Sequence, residues 1–118
     1  MVKENKDFTS FKKWFTYYQK LFGLTGYKVY FKYEPLEESF ASITCTTGDM
    51  VATIRLNSKL PDKDKPFKDV KRSAKHEAIH LLLMRLENNA RYRYSTSAEI
   101  YECVEEIVFK LEDLIKVA

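Results

Sequence analysis

The chain has 118 residues, 45% of them hydrophobic and 14% aromatic, with 20 basic and 17 acidic side chains giving a formal charge of +3. That length supports one modest core, so residues 1–118 are expected to form a single domain. The interspersed charges argue against a nucleic-acid footprint. No apolar run is long enough to span a bilayer, and Met1-Val2-Lys3-Glu4-Asn5-Lys6-Asp7 leads into no apolar stretch of the kind a secretory signal needs.

From Asp7 to Phe22, Phe8, Phe11, Trp14, Phe15, Tyr18, Leu21 and Phe22 recur at intervals of three and four, with Lys12, Lys13, Gln19 and Lys20 opposite. The spacing predicts an amphipathic helix opening near Asp7 or Thr9 and stopping at Gly23. Beyond Gly26 the period becomes two. Tyr27, Val29, Phe31 and Tyr33 alternate with Lys28, Tyr30 and Lys32, which predicts a strand broken by the acidic, proline-containing segment 34–39. A second strand is expected from Phe40 to Thr46. Thr47-Gly48-Asp49 is a turn signal, so Met50 to Asn57 should fold back as the third strand of an antiparallel meander. A polar loop to Pro66 precedes a helix that opens at Phe67 or Lys68 and ends near Glu87-Asn88-Asn89. Arg91-Tyr92-Arg93-Tyr94 is a short basic and aromatic cluster, read as a loop over the domain. A cap at Thr96 with Glu99 three residues on forms a capping box. From there Ile100, Cys103, Val104, Ile107, Val108, Leu111, Leu114 and Ile115 make a helical stripe towards the C-terminus. Cys45 and Cys103 are widely separated and in apolar settings, and are expected as reduced, buried thiols in a cytoplasm.

The chemistry concentrates in Lys75-His76-Glu77-Ala78-Ile79-His80-Leu81-Leu82-Leu83, which holds both histidines of the chain. Residues four apart on a helix differ by about 40° around the axis, so His76 and His80 can direct two imidazoles at one ion. Glu77 sits about a quarter-turn from His76, where it can take a proton from a water without binding the ion. His-Glu-x-x-His therefore pairs two neutral ligands with a general base, and zinc is the ion this donor set suits. Ala78, Ile79, Leu81, Leu82, Leu83 and Met84 make the following turns apolar on nearly every side, which predicts a helix buried in the domain interior.

A catalytic zinc site needs a third protein ligand. No histidine remains, and the last helix supplies Glu99, Glu102, Glu105, Glu106, Glu112 and Asp113. A carboxylate bordering the buried stripe can reach an interior ion while one at the back cannot. Glu105 is the first choice on that ground, Glu106 the second and Glu102 the third, with Cys103 a thiol rival.

The His76-Glu77-x-x-His80 helix, together with Ala52-Thr53-Ile54-Arg55-Leu56-Asn57 and Glu105-Glu106-Ile107-Val108-Phe109-Lys110-Leu111-Glu112, resembles the minimal zincin core. The resemblance is to the form with a glutamate as third ligand, gluzincin-like and of minigluzincin size, and is similar to small metallopeptidases encoded by bacteriophages and prophages. It implies an α+β fold with an N-terminal helix, a three-stranded antiparallel sheet, the motif helix and a C-terminal helix carrying the third ligand. It implies hydrolysis of peptide bonds with Zn2+ held by His76, His80 and Glu105, and Glu77 as general base. It also implies a peptide or protein substrate aligned on an edge strand, Val51–Asn57, and, for a phage-encoded chain, the host cytoplasm. Tyr92, Tyr94, Arg91 and Arg93 are the candidates for stabilising an oxyanion.

Two other readings use the same residues. One is a regulatory metallopeptidase-like protein acting on one protein partner. The other is a non-catalytic binding module with a structural metal, which would need a fourth protein ligand.

Overall fold

Phe11, Phe15 and Tyr18 fall on one line of the first helix, and that line forms one wall of the core. The computed structural model of the chain describes residues 5–46, 48–91 and 96–115. Helix α1 (Lys6–Leu21) opens at Asn5, whose side chain accepts from the backbone N–H groups of Asp7 and Phe8. The cap thus lies two residues before Asp7, because the Asn5 carboxamide satisfies two orphan donors at once. Gly23, with φ of +72°, turns the chain after the helix.

Strands β1 (Lys28–Glu34), β2 (Ala41–Thr46) and β3 (Val51–Asn57) form one sheet in the order β1-β3-β2. β3 is antiparallel to β2 but parallel to β1. The sheet is therefore mixed rather than an antiparallel meander, and Val51–Asn57 is its central strand rather than an edge. The physical reason lies in the link between β1 and β2. Residues 35–40 do not close a hairpin; they pass over the end of β3, where Asn57 holds them. The Asn57 carboxamide accepts from the N–H groups of Leu36 and Lys59 and donates to the carbonyls of Leu36 and Ser39. The Asn57 N–H donates to the Phe40 carbonyl, and the Ser58 N–H to that of Glu34. A buried asparagine with this many partners is costly to displace, so it fixes the crossover. On the outer face Arg55 ties all three strands together, donating to Glu34 at 2.8 Å and to Thr44 at 3.1 Å.

After a single 3-10 turn at Lys65–Phe67, helix α2 (Val70–Ala90) opens at Asp69, whose carboxylate accepts from the Arg72 N–H. Helix α3 (Ser97–Leu114) opens with the expected capping box between Thr96 and Glu99. The main core joins Phe11, Phe15 and Tyr18 to Ala52, Ile54 and Leu56 of β3 and to Ala74, Ala78 and Leu81 of α2. Ala74 and Ala78, one turn apart, leave room for the α1 rings. A second cluster, Ile79 with Ile100, Val104 and Val108, docks α3 on α2.

Two burial expectations are corrected. Leu82 of α2, expected inside, is exposed, as is Leu86 one turn on, so that helix is not covered all round. Cys45 is half-buried and Cys103 exposed, and both are free thiols. Cys103, Ile107 and Leu114 point outward because α3 packs against a single helix and needs only a narrow apolar stripe. Among the described residues no helix is long and apolar enough to cross a membrane.

Candidate metal centre and active site

The helix period places Asp69, Arg72, Ser73, His76, Glu77, His80, Met84, Glu87, Asn88 and Arg91 along one side of α2, and that side floors a cleft of about 820 Å³. One wall is β2 and the residues leading into it, from Ser39 to Cys45. The other is α3, through Tyr101, Glu105, Phe109 and Glu112, which share an arc of about 80° on their helix. Among the described residues β2 pairs only with β3, and its residues Ala41 to Cys45 line this cleft.

His76, His80 and Glu105 come together at the centre. Each can offer one ligand atom such that the three atoms lie within 4.8 Å of one another. His80 Nε2 is 2.6 Å and His76 Nε2 3.6 Å from the Glu105 carboxylate, one from each oxygen. Among the described residues this is the one group of three or more metal-binding side chains so disposed. The rivals for the third position lie elsewhere: Glu102, Glu106 and Cys103 are exposed, and Glu106 faces Lys110. Glu99 is taken up by its capping box.

Glu112 is one of six acidic residues on the last helix, and distance from the apolar stripe does not single it out. It is 2% exposed, and its Oε2 lies 2.6 Å from His76 Nδ1. Its other oxygen pairs with the Arg72 guanidinium, which also donates to Asp113 at 2.9 Å. With Nδ1 donating to Glu112, His76 presents Nε2 as an acceptor to the cluster. The signal for Glu112 was its spacing: seven residues after Glu105 is two turns on the same helix face.

Glu77 is 6% exposed, and burial together with the nearby Glu105 and Glu112 carboxylates pushes its pKa up from the ordinary 4.5 to about 8. Burial pulls His80 below its ordinary value, which favours the neutral imidazole that ligates metals. Tyr101 lines the cleft one turn before Glu105, and that carboxylate, followed by burial and Glu77, raises its phenol. Of the residues expected to face an oxyanion, Arg91 lines the cleft and is paired with Glu87 at 3.1 Å. Tyr92, Arg93 and Tyr94 lie outside the described residues.

The donor set suits a divalent cation. Two imidazoles and a carboxylate are the ligand types zinc takes, and the Glu105 carboxylate lies close enough to the buried Glu77 to raise its pKa, a pairing of acidic groups that a bound cation would stabilise. The chain matches no protein-family model and no curated protein sequence.

Proposed function

We propose that the chain is a zinc-dependent peptidase, a gluzincin-like zincin of minimal size. The observation that carries this reading is the convergence of His76, His80 and Glu105 beside a buried Glu77 in an open cleft. A zinc ion held by these three side chains supplies Lewis acidity, polarising a carbonyl and making a water acidic near neutral pH.

The chain's own residues do the rest. His76 and His80 hold the ion through neutral nitrogens, with His76 oriented by Glu112 and Glu112 by Arg72. A cation bound beside it would lower the Glu77 pKa from the raised value of the metal-free protein, and the carboxylate would then accept a proton from the attacking water and pass it to the amine nitrogen as the peptide bond breaks. Tyr101, which lines the cleft one turn before Glu105, is the phenol we assign to donate to the oxyanion that would form on the carbonyl oxygen. The free edge of β2, uncharged from Ala41 to Thr46, is the edge on which an extended substrate would pair its backbone. This assigns to β2 the role the sequence resemblance gave to Val51–Asn57.

A purely structural metal site favours four protein ligands. The cluster has three among the described residues, which leaves a position for water. A reducing cytoplasm, the host's for a phage-encoded chain, would keep Cys45 and Cys103 as the free thiols they are here.

The deciding experiment is metal analysis of the purified protein, followed by Glu77→Gln. Wild type should carry one zinc per chain and cleave a denatured protein, while the variant keeps the zinc and loses cleavage. A wild-type protein without stoichiometric metal sinks the reading. Zinc-loaded protein as inert as its Glu77→Gln variant favours the structural-metal alternative.

A further inference from the structure

The two ends of the cleft differ in chemistry. Towards the C-terminal end of α2 the lining mixes Met84 and Tyr101 with the Glu87–Arg91 pair and Asn88. At the N-terminal end three phenylalanines face the same space. Phe67, two residues before the Asp69 cap, is 75% exposed. Phe109 is 51% exposed, and its ring stands edge-on to His76 with centres 5.1 Å apart. Phe40 leads into β2 and also lines a smaller cavity of about 170 Å³ with Val70 and Ser73, which puts it at this same end.

The charged groups here already have partners. Asp69 caps α2, Arg72 is held by Glu112 and Asp113, and Glu112 is shared between Arg72 and His76. An incoming side chain therefore meets aromatic carbon rather than a charge seeking a partner. Exposed phenylalanine gains nothing in the free protein, and covering it with apolar surface is favourable.

We propose that Phe40, Phe67 and Phe109 form a specificity subsite for a large apolar side chain, aromatic or leucine-like, on the substrate residue flanking the cleaved bond on the His76 side. This rests on the peptidase reading and names its substrate class. Phe109 links the subsite to the chemistry, because the ring that would cover the substrate side chain also touches a proposed metal ligand.

The test is cleavage-site mapping. Zinc-loaded full-length protein digests a denatured protein mixture, and product termini are sequenced by mass spectrometry. Large apolar residues should be enriched roughly tenfold or more at one position beside the cleaved bond. Phe67→Ala and Phe109→Ala should each lower that enrichment, with zinc content measured for both. Phe67 is exposed, so its variant separates specificity from folding. Active wild type without apolar enrichment, or enrichment unchanged in both variants, overturns the subsite and leaves the peptidase reading standing. Wild-type protein as inert as Glu77→Gln overturns the peptidase reading and the subsite with it.

Discussion

His76 and Glu112 lie 36 positions apart in the chain, yet His76 Nδ1 and Glu112 Oε2 are 2.6 Å apart. One carboxylate thus fixes which nitrogen of the first motif histidine faces the cluster, and Arg72 fixes the carboxylate. Glu112→Ala should therefore weaken zinc binding by roughly 10- to 100-fold. Glu112→Gln should lose less, because an amide oxygen still accepts from Nδ1–H. Competition with a chromogenic chelator measures both, and wild-type affinity in the alanine variant would show that Glu112 is packing alone.

The third ligand is tested by comparing glutamates on one helix. Glu105→Ala should release zinc far more readily than Glu102→Ala or Glu106→Ala, whose side chains are exposed. Equal retention in the three variants would rule Glu105 out.

Glu77 makes a prediction about the metal-free protein. Its folded pKa of about 8 exceeds the ordinary 4.5, so the native state binds this proton more tightly than the unfolded chain does. The associated stability is full below pH 4.5 and falls as pH rises towards 8, at up to about 1.4 kcal/mol per pH unit. Denaturant titrations across that range should show the decline in metal-free wild type and a shallower one in Glu77→Gln. Parallel profiles would mean that Glu77 is not a buried acid in solution.

Tyr101→Phe removes a phenol from the cleft while keeping the ring. If that hydroxyl faces the oxyanion, kcat should fall roughly 100- to 1000-fold with zinc content unchanged. A fall confined to KM would instead make Tyr101 a substrate contact.

Much of this arrangement is legible in local pattern. The heptad-scale spacing of Phe11, Phe15 and Tyr18, the period of two through Val29 and Phe31, and the Thr96–Glu99 box each reflect interactions a few residues apart, and each element formed. The separation of His76 and His80 by four fixes their shared face for the same reason. Sequence adjacency misled where it stood in for spatial adjacency. β1 and β2 are neighbours in the chain, but Asn57 holds their link across the end of β3 and puts β3 in the middle.

The sequence by itself determined the elements, the motif and the border position of Glu105, because helix and strand periods are properties of the local backbone. Tertiary structure alone decided which face of α3 is covered. Docking through Ile79, Val104 and Val108 leaves Cys103, Ile107 and Leu114 outward and turns Tyr101, Glu105, Phe109 and Glu112 into the cleft. A carboxylate's partner across two helices depends on how those helices pack, and that packing is set by contacts far apart in the chain. The same holds for β2, which becomes the cleft's free edge only once β3 has taken the centre of the sheet.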